Sequence, residues 1–242
     1  NYYEHVHRVI DKKLTIKSDV GTSFSHCSNQ GSADSGHQGI FYLTSKASGT
    51  IIEGFNFNND NGMLFDNQGY SILIDGASNV IIRNCTFSNN GVGDAIRLEN
   101  AKGITIEHSV IADAVYGINI KNSRDVTVGD SDIKNHKIAG VSVSGSSKNT
   151  KIISNNITSN GVGVNLTSSN GVYILSNYIA HNTHGVYVNC NITKIEIKGN
   201  FFNQNKVYEV LNDYRVRNMV DMVKKIGYPD LEIIDNNYMV DL

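Results

Sequence analysis

The sequence predicts an all-β chain: a parallel β-helix solenoid of roughly eight to nine turns with one C-terminal amphipathic helix. Three observations carry this prediction. An apolar phrase recurs at Val80, Ile104, Val126, Thr150, Val172 and Ile195, in steps of 24, 22, 24, 22 and 23 residues. Within each phrase apolar and polar residues alternate, which is the period of strands and not of helices. The phrases are punctuated by asparagine and glycine, and the chain holds 32 asparagines against one proline. A fixed period of this size marks a solenoid, because one repeat cannot bury its apolar face alone.

The elements follow in order as one domain over residues 1–242. Residues 1–18 hold two short strand-like pieces, at 6–10 and 14–16, and are expected to form a first turn or N-terminal cap over an edge that would otherwise stay open. Residues 19–38 are polar and read as a loop. The repeats occupy 39–205. Thr50, Ile52 and Phe57 match the later phrase, and the step of 30 residues from Thr50 to Val80 places an extra loop near 60–69. Each phrase has a second anchor two residues on (Ile82, Ile106, Val128, Ile152, Ile174, Ile197) and a third seven on (Phe87, Ile111, Ile133, Ile157, Ile179, Phe202). A further strand supplies Ile96/Leu98, Ile118/Ile120, Val141/Val143, Val164/Leu166 and Val186/Val188. With rungs about 4.8 Å apart, these anchors should form vertical apolar columns.

The same register predicts polar columns. Asn84, His108, Asp130, Ser154 and Ser176 fall at one bend, where such side chains tolerate left-handed backbone. Asn90, Asn160, Asn182 and Asn205 fall at another, with Asp113 and Asn135 one residue off. Stacked asparagines can bond from rung to rung. Because they recur in almost every turn, they read as structural. Their functional alternative is ligand or Ca²⁺ binding, and no other cofactor is expected.

In residues 207–226 the apolar spacing changes to three and four, through Val207, Val210, Leu211, Tyr214, Val216, Met219, Val220 and Val223, which predicts an amphipathic helix. Gly227 and Pro229 would stop it. This helix could lie across the end of the solenoid or contact another protein. Residues 231–242, with Leu231, Ile233 and Tyr238, read as a final rung.

The net charge of −2 gives no electrostatic case for nucleic acid. No run of 18 apolar residues is present to insert into a membrane. The opening at Asn1-Tyr2-Tyr3-Glu4 reads as the start of a trimmed chain or of a mature fragment. Three cysteines, Cys27, Cys85 and Cys190, lie far apart and form no zinc pair, and His26, Cys27 and His37 match no zinc spacing, so no metal site is expected.

Chemistry on a long polysaccharide needs clustered carboxylates or a basic group on neighbouring rungs. The outward columns place Asp94, Arg97, Glu99, Tyr116 and Lys121 on two adjacent rungs as catalytic candidates. Asp75, Asn119, Asn165 and Tyr187 extend the set as ligand-binding candidates. The Asp94-Ala95 and His184-Gly185 pieces are similar to polygalacturonase motifs, but lie four rungs apart, about 19 Å. The paired Asp and the Arg-x-Lys of that family are missing. The repeats Asn79-Val-Ile-Ile-Arg-Asn-Cys-Thr-Phe-Ser-Asn-Asn-Gly, Asn149-Thr-Lys-Ile-Ile-Ser-Asn-Asn-Ile-Thr-Ser-Asn-Gly and Asn170-Gly-Val-Tyr-Ile-Leu-Ser-Asn-Tyr-Ile resemble the right-handed β-helix repeats of archaeal and bacterial surface proteins, methanogen adhesin-like proteins among them, over roughly residues 9–205. That resemblance implies a secreted or cell-surface module for adhesion, glycan binding or surface structure. A polyuronate lyase, hydrolase or epimerase is the alternative, and a subunit of a larger surface assembly is the second.

Overall fold

A computed structural model describes residues 8–19, 21–25, 39–58, 69–89, 91, 93–189, 194–212, 231–234 and 237–239. Their strands form three parallel sheets of nine strands each, so the chain climbs through nine rungs. Every rung gives one strand to each sheet. The fourth is typical, with Asp94–Glu99, Lys102–Glu107 and Val110–Ala112. Each strand of the second to eighth rungs pairs with its equivalents one rung below and one rung above.

The apolar columns form as the spacing predicts. Ile106 pairs directly with Val128, and Ile104 with Val126. Ile111 lies between Phe87 and Ile133. Ile118 lies between Ile96 and Val141. All of these side chains are fully buried. Burying one such side chain contributes about 1.5–3 kcal/mol, and stacking lets every rung do so at once. At the N-terminal end the column changes to aromatic: Phe57 stacks on Phe87 with centroids 4.7 Å apart, and Phe24 packs on Phe57 at 5.8 Å.

The bends also take their predicted form. Asn84, His108, Asp130, Ser154 and Ser176 have φ between 48° and 56°. One residue further on, buried polar side chains run up the solenoid as a ladder. Cys85 N–H donates to Ser109 Oγ, Ser109 N–H to Ser131 Oγ, and Ser131 N–H to Asn155 Oδ1. Asn155 N–H then donates to Asn177 Oδ1, and Asn177 N–H to Asn200 Oδ1. The second asparagine column makes a parallel ladder: Ala114 N–H to His136 Nδ1, His136 N–H to Asn160 Oδ1, Asn160 N–H to Asn182 Oδ1, and Asn182 N–H to Asn205 Oδ1. Corners where strands end thus keep their backbone donors satisfied. Asn90 lies outside the described residues; Asp113 and Asn135 sit beside this ladder with positive φ.

The second ladder explains a glycine column. Gly117, Gly140, Gly163 and Gly185 face the corner that the ladder fills. A Cβ on Gly163 would meet Gly185 O at 2.5 Å and Asn182 Nδ2 at 3.1 Å. One rung below Gly117 the column holds Ala95, and the ladder residue there is the small Ala114.

The ends depart from expectation. Ser23–Ser25, inside the expected loop at 19–38, is a strand that completes the first rung with Arg8–Ile10 and Thr15–Lys17. The remaining part, 26–38, lies outside the described residues, as does most of the extra loop at 60–69. The predicted helix at 207–226 is corrected over its first part: Tyr208–Asn212 is the ninth strand of the first sheet. Val210 pairs with Val186 and is 2% exposed, closing the column that a helix would abandon. An open sheet edge offers backbone partners that local periodicity does not register. Residues 213–226 lie outside the described residues. Leu231–Ile234 and Asn237–Met239 pair with Ile195–Lys198 and Phe201–Asn203. Among the described residues no helix is long and apolar enough to cross a membrane.

Candidate functional site

The first sheet carries the candidate residues. Its strands alternate, so Ile96 and Leu98 point inward while Arg97 and Glu99 point out. Register then assembles the patch. Glu99 lies between Asp75 below and Lys121 above, and Arg97 lies beside Asn119.

Asp94 does not stand on the face. Its side chain is 1% exposed and lies beneath Arg97, whose Nε donates to Oδ2 at 2.6 Å. Asn119 Nδ2, one rung up, donates to the same oxygen at 3.0 Å. Oδ1 is buried and accepts no hydrogen bond among the described residues. Burial raises the Asp94 pKa, and the Arg97 charge and the two donors oppose that shift. Asp94 is therefore an anchor. It fixes Arg97 and Asn119 so that both present set groups outward.

Aromatic rings surround the anchor. The Arg97 guanidinium lies over the Tyr70 ring, 5.7 Å from its centroid. Tyr70 is buried, and its hydroxyl makes no hydrogen bond among the described residues. Desolvation pushes its pKa up. Gly39 sits below, where a Cβ would meet the Tyr70 ring at 2.0 Å, so this position admits no side chain. Tyr116 is half-buried, with its pKa raised by burial and then by the Asp94 charge. On the rim, Asp75 accepts from Tyr42 Oη at 3.4 Å and from Asn100 Nδ2 at 3.3 Å. Lys121 is exposed.

Asp75, Asp94, Arg97, Glu99, Tyr116, Asn119 and Lys121 thus come together on the third to fifth rungs. Asn165 and Tyr187 do not join them. They are register partners on the seventh and eighth rungs, beside His184 and Tyr208. Tyr42, Tyr70 and Asn100 were missed by the sequence reading. Tyr70 shares a column with Asp94 and Tyr116, so its register was a usable signal; the lateral reach of Tyr42 and Asn100 was not. Among the described residues no group of three His, Cys, Asp or Glu side chains could hold a metal ion. Cys85 is a buried free thiol with its pKa raised by desolvation, while Cys27, Cys190, His26 and His37 lie outside the described residues.

Fold and face together define a β-helix solenoid with a polar and aromatic patch on one sheet. A family model described as a right handed beta helix region matches residues 14–179 and again 70–220, and the chain belongs to that family. No curated protein matches it in sequence. Among solved structures, a DFA-IIIase from Arthrobacter chlorophenolicus A6 in complex with GF2 superposes with a TM-score of 0.72 at 14% identity, covering 98% of this chain and 67% of that one. A mutant of the same enzyme with DFA-III gives 0.69 at 13% identity, covering 86% of this chain and 60% of that one. The enzymatically active domain of the bacteriophage CBA120 tailspike protein 2 gives 0.57 at 9% identity, over 96% and 40%. The chain spans 60% of the length of the DFA-IIIase mutant bound to DFA-III, and the likeness is one of fold.

Proposed function

We propose that the chain binds a glycan on the outward face of its first sheet, over Tyr42, Asp75, Arg97, Glu99, Tyr116, Asn119 and Lys121. One observation carries this: hydrogen-bonding and aromatic groups from four consecutive rungs share one face, and a buried carboxylate holds two of them in place. Saccharide hydroxyls want fixed donors and acceptors, and sugar faces want an aromatic surface with a polar edge. Preorganised groups bind without an ordering cost. The module would work at a cell surface or outside the cell, as the Asn-rich repeats imply through their resemblance to adhesin-like proteins. Affinity electrophoresis through gels holding neutral polysaccharides or polyuronates tests the proposal. Retardation that falls in Asn119→Ala and Arg97→Ala supports it, and free migration of the native protein in every gel removes it.

A second reading makes the face catalytic. Asp75 and Glu99 are register partners on adjacent strands, about 4.8 Å apart at the backbone. The pair thus sets two carboxylates side by side on one face, the residue type that glycoside hydrolysis uses in pairs. Two of the structural neighbours are described as enzymes or as an enzymatically active domain, which favours this reading over adhesion alone. Product release from a retained polysaccharide, lost in Glu99→Gln with retardation intact, would establish it. Absence of release by the native protein would leave a binding module.

A further inference from the structure

We infer that the glycan is an uncharged polymer that spans the first sheet from the Asp75–Asn119 patch to a second aromatic subsite at Asn165, His184, Tyr187 and Tyr208. This inference rests on the glycan-binding role proposed above and adds to it the length and charge class of the ligand.

The second subsite stands on its own geometry. His184 and Tyr208, register partners on the eighth and ninth rungs, stack with centroids 5.6 Å apart and planes 12° apart. Tyr187 leans on the same imidazole at 5.8 Å. Three rings from two adjacent rungs thus form one aromatic cluster. Two polar atoms at its base have no hydrogen-bond partner among the described residues: His184 Nδ1 and Asn165 Oδ1. Such orphaned groups are costly in a fold and call for an explanation. Hydroxyl groups of a bound sugar, which both donate and accept, would serve both atoms.

The two patches share one face and one direction. Arg97, Asn119, Ser142, Asn165 and Tyr187 are successive outward residues of one column. Tyr116, Ala139, Val162, His184 and Tyr208 are successive residues of the column beside it. Between the patches each column reaches its smallest member, Ser142 and Ala139 on the sixth rung. The face therefore rises at both ends and dips between them. Asp94 and His184 are four rungs apart, about 19 Å, which exceeds the length of a disaccharide. The charge balance sets the class. Asp94 and Arg97 pair with each other, which leaves Asp75 and Glu99 against Lys121 on the face, and the second subsite holds no lysine or arginine, so a uronate polymer would meet net repulsion. Two weak subsites on one chain gain affinity through effective concentration without any new contact.

The test uses the full chain in affinity gels with soluble β-glucan, xyloglucan, galactomannan or inulin, with polygalacturonate as the charged comparison, and calorimetric titration with the matching disaccharides. Tyr187→Ala and Tyr208→Leu should weaken retardation by the best neutral polymer about tenfold, the loss of about one good contact. The same variants should remove disaccharide binding at the second subsite while leaving one disaccharide bound at the first patch, whereas Asn119→Ala weakens the first-patch disaccharide and the polymer. Thermal melts confirm that the variants fold; two positions with different replacements guard against failure of one. If neither variant moves the polymer affinity while Asn119→Ala does, the second subsite is refuted and the first patch stands. Binding to polygalacturonate alone overturns the uncharged class. Binding to none of the probes removes both the glycan role and this inference.

Discussion

Replacing His136 by Asn should remove much of the acid sensitivity of the solenoid. His136 is 2% exposed and sits in the second polar ladder. Its Nδ1 accepts from Ala114 N–H at 3.1 Å, and its Nε2 faces Ile111 O at 3.0 Å. That pairing suits the neutral ring protonated on Nε2. Burial lowers the pKa from 6.5 to about 4. The sign follows from linkage. Above pH 6.5 the ring is neutral in both states, and stability does not depend on it. As pH falls from 6.5 toward 4, the unfolded chain takes up a proton that the native site refuses, so stability drops. Below pH 4 both states are protonated and the loss is complete. The full fall corresponds to about 3 kcal/mol, and at pH 4.5 about 2.5 kcal/mol of it is already lost. Asparagine occupies the equivalent position at Asn160 and Asn182, where its oxygen accepts the same backbone bond. The variant should therefore match the native chain at pH 7 and exceed it at pH 4.5. Urea unfolding at the two pH values measures this. Other titrating groups, including Asp94 with its raised pKa, are common to both chains and cancel in the comparison. Equal acid losses in the two proteins would refute the assignment of the effect to His136.

Three further outcomes concern the ladders and columns. Asn177→Ala strips Asn155 N–H of its acceptor at 2.9 Å and should cost about 1–3 kcal/mol in chemical unfolding; Asn177→Ser should recover part of it, as serine serves at Ser109 and Ser131, and equal stability of the alanine variant would contradict the ladder. Gly163→Ala forces a methyl to within 2.5 Å of Gly185 O and should cost about 1–3 kcal/mol, read as a lower melting temperature. An unchanged melt would show that the corner has room to spare. Ile106→Ala opens a cavity between rungs and should lose about 2–5 kcal/mol, so a loss below 1 kcal/mol would speak against a packed column at that rung.

The repeat spacing alone determined the stacking. Residues some two dozen apart had to lie in touching layers, because each rung presents its neighbour with the same pattern and no other arrangement buries it. Ile106 on Val128, the left-handed bends at Asn84 and Ser154, and the grouping of Asp94, Arg97, Glu99 and Asn119 all followed from that one period. Tertiary structure decided what a period cannot encode. Alternation put Asp94 outside, but the neighbouring Arg97, Tyr70 and Asn119 cover it, and coverage depends on side-chain reach between rungs. The glycine column acquired its meaning only once Asn160 and Asn182 were seen to fill the space opposite. At the C-terminal end, residues 207–212 satisfy a helical spacing as written, yet the open edge of His184–Asn189 offers a row of unpaired backbone groups, and pairing with it outweighs the local preference.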